Sequence, residues 1–583
     1  MALGGVRRSQ LIATYGVGSM IPKGNASVMV AGTAFWPVQY YPGDVLHEPR
    51  LEKKLKVSCF YQPPASDKEG AHNIPVVRFP SWYWCPGCKR LDHYDALAGQ
   101  IEGKCRFCGT PLNPSRFVMV CANGHIDDFP YHAWVHSSQP ESPGPHQLYF
   151  ESTGTSASLQ DIKITCSCEA KRTMAGSFAG DALKNITPCT GRQPWLYPDG
   201  AGGRCGLVPR TLQRGASNVY FPISESALSI PPWSEGAARA IRTQLEILES
   251  VPQEALPAVV DSWRERLGIP YSTAELLAAL STLSGTSNEM LLSDPPSLRE
   301  QEYDALVQGR AESDGDQDFV CVPATQLTGE LGSVVSAVSE VRRLREVRAL
   351  TSFARLFPPS AGDDDNRFQP LSVPRLNWLP AVQVNGEGVF IQLSTERIQD
   401  WERLDKVKAR VKPIADNYAK RFQATRRQPD RVITPRLVML HTLAHALIHE
   451  WTLDCGYPTS SLRERLYVGP EMSGILLYTA ASDSAGSLGG VAALASNGRL
   501  ETIFKKALWR AAWCSADPTC VESGPSGVDG LNLAACHACV LLPEVSCEEQ
   551  NVLLDRALLV GTPSSPDLGY FSKIVNPFAA QGS

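Results

Sequence analysis

A chain of 583 residues is too long for one hydrophobic core and is expected to divide into roughly three or four domains of ordinary size. With 43% hydrophobic and 20% charged residues it has the composition of an ordinary soluble globular protein, which excludes general disorder. A formal net charge of −5 excludes a globally basic nucleic-acid-binding surface, so any contact with nucleic acid has to be a local patch.

No uninterrupted apolar run reaches membrane-spanning length, and the opening MALGGVRRSQLIATYG lacks the apolar core of a secretory signal, which predicts a cytoplasmic protein. In that reducing compartment the 17 cysteines, most of them clustered, point to metal rather than to disulfides. Residues 1–80 mix short β-rich runs such as ASVMVAGTAFWPVQYYP with Pro and Gly turns and form an N-terminal β-rich region. Residues 81–215 are dense in Cys, Gly and aromatic residues with little helical periodicity, as expected of a loop-rich module stapled by metal.

Within that module, CPGCKRLDHYDALAGQIEGKCRFC sets Cys85 and Cys88 sixteen residues ahead of Cys105 and Cys108, the spacing of a zinc ribbon. Each C-x2-C places two thiolates on one turn, and the intervening hairpin brings the pairs into a tetrahedral all-sulfur site. Such a site leaves no open coordination position, so its role is folding, worth roughly 10–16 kcal/mol in small zinc modules. A looser set, Cys166, Cys168, Cys189 and Cys205, is read as a second structural zinc site. Between the two lies CANGHIDDFPYHAWVH, whose Cys121, His125, His132 and His136 offer a mixed Cys/His metal site as one reading, against the favoured one of hydrogen-bonded packing histidines; Asp127 and Asp128 beside His125 offer a catalytic alternative.

Residues 216–430 form a mainly helical middle region. EGAARAIRTQLEILESV, TAELLAALSTLSG, SLREQEYDALVQG and SAVSEVRRLREVRALTSFARL repeat apolar residues at helical spacing, predicting helix from 235 to 355. Asn385-Gly386 in AVQVNGEGVFIQL suggests a hairpin, followed by the helical TERIQDWERLDKVKARVK. From Trp401 to Arg431 ten basic residues face four acidic ones, and Lys406, Lys408, Arg410, Lys412, Lys420, Arg421, Arg426 and Arg427 are the candidate phosphate contacts, against the alternative of a solvated, ion-paired helix face.

Residues 431–583 form a C-terminal α/β domain. Its helix HTLAHALIHEWTLDCG brings to mind the His-Glu-x-x-His of a zinc protease, but Glu450 after His449 lacks its second histidine at Leu453, and the frame from His445 to His449 has Ala446 where glutamate is required. Thr434 as cap, Pro435 in the first turn and apolar residues on nearly all sides predict a buried helix whose histidines are internal hydrogen-bond partners bracing the Ser484–Gly490 loop. That loop follows the strand SGILLYTA and lacks the lysine of a phosphate-binding loop, so no ATP site is expected anywhere in the chain. The tail holds Cys514, Cys520, Cys536, Cys539 and Cys547; the expected ligand set is Cys520, Cys536, Cys539 and Cys547, with Cys514 as substitute.

The sequence thus predicts an α+β multidomain protein with a zinc-ribbon-like Cys-rich N-terminal part, a helical middle, a mixed α/β C-terminal domain and two to three structural zinc ions. The alternative is a metal-dependent nuclease or other hydrolase using His441, His445 and the Ser484–Gly490 loop, or His125 and Asp127; such an enzyme needs an oxygen-rich carboxylate cluster, and none has convincing spacing.

RRSQLIATYGVGSMI, CANGHIDDFPYHAWVH, RGASNVYFPISESALSIPPW and the tail from HTLAHALI to LNLAACHACVLLPEVSCEEQNVLLDR together resemble the DrmB family of bacterial DISARM phage-defence systems across essentially the whole chain. The tail resembles a cysteine-containing domain shared with MrfA-type DNA-repair helicases, with Cys536, Cys539, Cys547, Asn551 and Asp555 matching its pattern. The resemblance implies a non-catalytic partner of the helicase DrmA that helps engage DNA with a single-stranded end, with the ATPase on the partner.

Overall fold

In a computed structural model of the chain the described residues are 6–40, 44–64, 73–137, 145–152, 158–196, 202–203, 205–292, 297–312, 316–324, 326–359, 365–425, 428–479, 490–496 and 498–575. They mix helix and sheet throughout, an α+β architecture. The four regions of the sequence gather into two compact units, each assembled from segments distant along the chain: residues 1–46, 52–226 and 348–382, and residues 47–51, 227–347 and 383–583. Among the described residues no helix is long and apolar enough to cross a membrane.

The first unit is built on short antiparallel sheets. The largest runs Lys171–Thr173, Ile162–Cys166, Leu148–Ser152, Arg90–His93, Trp82–Trp84 and Asn113–Pro114 in spatial order. A second pairs Phe117–Val120 with Ile126–Asp128 on one side and Arg210–Gln213 on the other. Phe117, Phe129, Tyr131, Trp134, Phe150, Ile162 and Ile164 fill the core between these strands. Loops this long need polar anchors as well as an apolar core. Arg355, fully buried, provides one by donating to the carbonyls of Gly124 (3.0 Å), Val219 (2.7 Å) and Gly18 (2.7 Å).

In the second unit the helices Thr273–Leu292 and Leu298–Gln308 stand where helical spacing places them, the latter started by a Ser297–Glu300 capping box. Residues 335–354, of which 335–347 belong to this unit, do not: they form one strand, Val335–Ala354, against which Phe319–Pro323 pairs antiparallel through Ser339 to Leu344. The apolar residues Val335, Val338, Val341, Leu344, Val347 and Leu350 recur every third position, which imitates a helix face. In a strand the same spacing sends side chains alternately to both faces, and both faces are buried here, so the β-branched valines decide the backbone. The charged residues between them are accommodated by pairing: Arg345 donates to Ser229 Oγ at 2.6 Å beside Glu48, and Glu346 lies 3.7 Å from Arg465.

Asn385-Gly386 makes no hairpin either. The chain runs straight through it in the strand Trp378–Leu393, whose residues Gly388 to Gln392 pair with Gly474 to Tyr478. Gly386 is needed for close approach rather than for a turn, because a Cβ there would stand 1.9 Å from the Thr479 carbonyl oxygen. Strand Ser473–Thr479 pairs in turn with Leu462–Val468, and the helix Pro435–Cys455 packs on both. Thr434 Oγ1 accepts the Leu437 amide at 3.2 Å, Gly456 closes the helix in the left-handed conformation, and Leu437 to Ile448 is buried without a break.

Candidate metal centres

Among the described residues, five groups of four side chains place their potential ligand atoms within 4.8 Å of one another. The first is Cys85, Cys88, Cys105 and Cys108. Strand Trp82–Trp84 enters the first knuckle and Arg90–His93 leaves it, with the Cys85 amide bonded to the Arg90 carbonyl at 2.9 Å. Each knuckle ends in a left-handed residue, Lys89 and Gly109, whose amide returns to the first cysteine's carbonyl at 2.8 Å. This tight return turns both thiols of a pair inward. Sγ atoms of Cys85 and Cys108 lie 3.3 Å apart and those of Cys88 and Cys105 3.7 Å apart. Hydrogen bonding from the Thr110 side chain and amide draws the Cys108 thiol down to about 6, toward the thiolate a metal requires.

The looser quartet predicted from the sequence, Cys166, Cys168, Cys189 and Cys205, is not one site. Cys189 and Cys205 join Cys121 and His125, with Cys121 Sγ at 3.8 Å from Cys205 Sγ and 3.4 Å from His125 Nδ1. Cys121 and His125 flank the turn between Phe117–Val120 and Ile126–Asp128, where the Cys121 amide donates to the His125 carbonyl at 3.1 Å. Cys166 and Cys168 instead join His136 and His146: His136 Nε2 is 3.3 Å from Cys168 Sγ, and His146 Nδ1 is 3.1 Å from Cys166 Sγ. The other nitrogen of His136 bonds to the His132 carbonyl at 2.8 Å, which fixes the ring. His125 and His136 therefore stand in donor clusters rather than serving only as packing residues. Asp127 is held by Arg192 (2.7 Å) and the Thr190 hydroxyl (2.8 Å), and Asp128 by the amides of Ser81 (2.8 Å) and Trp82 (3.2 Å).

In the tail the structure exchanges one expected ligand. Cys514, Cys520, Cys536 and Cys539 converge, with Sγ separations of 3.4 Å for Cys514 to Cys536, 3.7 Å for Cys536 to Cys539 and 3.9 Å for Cys520 to Cys539. Asp517 accepts the Cys514 amide at 2.8 Å and pairs with the buried Arg556, which fastens this loop to the Ala511 carbonyl at 2.9 Å. Cys547 lies elsewhere, 3.2 Å from His441 Nε2, in a fifth group with His445 and Glu464. Both histidines are fully buried there. Burial works against charge on either ring; Glu464 nonetheless lifts His441 above the ordinary imidazole range, while burial keeps His445 below it. The Ser484–Gly490 loop falls outside the described residues apart from Gly490.

The basic segment folds as the helix Asp405–Thr425, whose Val407, Val411, Ile414, Tyr418 and Phe422 are buried. Arg410 is bound to the buried Asp555 at 2.7 Å, Arg421 to Asp529 at 2.5 Å, and Lys406 to Asp567. Lys408, Lys412 and Lys420 are exposed, Lys412 beside Asp416; Arg426 and Arg427 fall outside the described residues.

Zinc fits the all-sulfur sets. Thiolates at about 2.3 Å from a tetrahedral ion are separated by roughly 3.8 Å, and the sulfur pairs given above for the two four-cysteine groups lie 3.3–3.9 Å apart. The comparisons agree with that chemistry. A domain of unknown function (DUF8724) matches residues 7–221, and the MrfA Zn-binding domain matches residues 443–540, a span that contains all four cysteines of the tail cluster. Fold and site together define an α+β protein of cysteine-clustered modules ending in an MrfA-type zinc-binding domain. The DISARM protein DrmB of Bacillus paralicheniformis is 31% identical over 585 residues, covering 94% of this chain and 99% of that protein. The chain belongs to the DrmB family.

Proposed function

We propose that this chain is a non-catalytic, zinc-stapled subunit of a DISARM-type anti-phage complex that acts in the cytoplasm, docks a DrmA-like helicase and helps hold DNA with a single-stranded end. The observation that carries the reading is the near end-to-end match to a DISARM protein DrmB. Its donor clusters support a structural rather than a chemical role, since four protein ligands around one ion leave no position for substrate. Zinc in them ties together segments distant along the chain.

The hydrolase alternative loses its residues to other duties: His441 and His445 are sealed from solvent, and Asp127 and Asp128 are engaged by Arg192, Thr190 and backbone amides. ATP hydrolysis belongs to the helicase partner, in keeping with a sequence that lacks a phosphate-binding loop. DNA contact falls to local cations, of which Lys408, Lys412 and Lys420 line the exposed side of one helix. The test is co-purification with a DrmA-like helicase, followed by titration of DNA carrying a single-stranded end over a range of salt. The reading requires a stable complex whose DNA affinity and salt slope exceed those of the helicase alone; a helicase that ignores this chain, or Mg²⁺-dependent DNA degradation by this chain alone, overturns it.

A further inference from the structure

We propose that His441, His445, Glu464 and Cys547 hold a second zinc ion of the C-terminal region, in a closed site separate from the four-cysteine cluster. The four residues come from three places: the histidines from successive turns of Pro435–Cys455, Glu464 from the strand Leu462–Val468, and Cys547 from the tail. His441 Nε2 lies 3.2 Å from Glu464 Oε1 and 3.2 Å from Cys547 Sγ, and His445 Nε2 lies 3.4 Å from the same carboxylate oxygen. Tetrahedral ligands about 2.0–2.3 Å from zinc are separated by roughly 3.3–3.8 Å.

Three features aim these atoms at an ion rather than at one another. His445 Nδ1 donates to the Val540 carbonyl at 2.7 Å, which turns the lone pair of Nε2 into the cluster, where it makes no hydrogen bond. Glu464 Oε2 is buried and also makes none. Backbone amides support the two anionic ligands, Asn551 donating to Cys547 Sγ at 3.1 Å and Glu548 to Glu464 Oε1 at 3.1 Å.

Charge gives the same answer. Two neutral imidazoles, a carboxylate and a thiolate around a divalent ion sum to zero, and the ion gives the buried Glu464 carboxylate and the His445 Nε2 lone pair a common partner. Sulfur and imidazole together select zinc over the hard cations magnesium and calcium. Four buried protein ligands leave no place for a reactive water, so the ion is structural, joining the helix, the sheet and the tail. The segment matched by the zinc-binding domain, 443–540, includes neither His441 nor Cys547.

The test begins with crystals of the full, unmodified chain and anomalous difference maps recorded above and below the zinc absorption edge. A peak between these four atoms that vanishes below the edge is the expected result. No peak there, or one that persists below the zinc edge, overturns the assignment. Native mass spectrometry then compares wild type with Glu464→Gln, Cys547→Ser and Cys539→Ser. Each variant should carry one zinc fewer, and the Cys539→Ser/Cys547→Ser double variant two fewer; wild-type zinc content in folded Glu464→Gln and Cys547→Ser also refutes the site. Should the variants fail to fold, the wild-type maps decide.

Discussion

Cys539→Ser separates stapling by metal from stapling by hydrophobic core. Cys539 Sγ lies 3.7 Å from Cys536 Sγ and accepts the Cys536 amide at 3.1 Å, so serine removes one of four ligands and disturbs the turn that presents a second. The apolar support packed directly against this turn is small: Ala535, Val540 and Leu554 are its buried cluster. At roughly 1.5–3 kcal/mol for each fully buried Val or Leu, that cluster contributes about 3–6 kcal/mol. A structural zinc contributes roughly 10–16 kcal/mol, about two to three times as much. Loss of the ion should therefore release residues 535–541 locally while the helix Pro435–Cys455, buried by its own apolar residues, and Cys547, held in the separate cluster with His441, His445 and Glu464, keep their protection. Hydrogen exchange on the full chain, read peptide by peptide beside zinc content, makes the measurement. Faster exchange confined to the tail together with one lost zinc is expected. A variant that loses the zinc but keeps wild-type protection across 535–541 would refute the reasoning, because the core would then suffice.

Four further outcomes follow from the same geometry. Arg465→Met should cost about 3–5 kcal/mol in chemical denaturation, because it strands the fully buried Glu302, which accepts from Arg465 Nε and Nη2 at 2.7 Å each; a loss under about 1 kcal/mol, no larger than an ordinary point substitution gives, would contradict it. Burial alone would raise the Glu302 carboxyl, but Arg465 holds it below the ordinary carboxylate range; its contribution is complete above the unfolded value of about 4.3 and is lost as pH falls through the depressed folded value. Acid titration of wild type against Glu302→Gln should show that pH dependence only in wild type. Gly386→Val should lower the melting temperature, the added Cβ meeting the Thr479 carbonyl, with a cost of about 1–3 kcal/mol or more, and an unchanged melting temperature would mean that the neighbouring strand yields. If the exposed face of Asp405–Thr425 lies on DNA, changing Lys408, Lys412 and Lys420 together to Ala should reduce the salt slope of the helicase complex by roughly 0.7–0.9 for each phosphate that is no longer neutralised, and an identical slope removes this helix from the interface.

What could be read in advance depended on how far apart the ligands lie along the chain. Cys85/Cys88 and Cys105/Cys108 are legible because a C-x2-C turn carries its own geometry. The sets completed by histidine are legible only in part: Cys121 and His125 share one motif, but Cys121 and Cys205 meet across 84 residues, and His146 sits outside any motif. Cys547 lies in the same tail as the other cysteines, so proximity in sequence assigned it to the wrong partners, whereas the fold carries it to the histidine helix. Secondary structure failed where one spacing served two periods, as with the every-third-residue valines of Val335–Ala354.

Glu464 left a signal that pattern reading could have used. In Leu462–Val468 it shares a face with Leu462 and Leu466, because strand side chains alternate. A carboxylate in line with two leucines on a core-facing row must find cations or a metal. The histidines that failed the protease spacing are the nearest such partners, and they fail it for a physical reason. A zincin helix supplies both histidines and the glutamate from one element and keeps a coordination position open for water. Here the carboxylate arrives from a strand and a thiol from the tail, so every position is filled from within and the same residue types close the site instead of opening it.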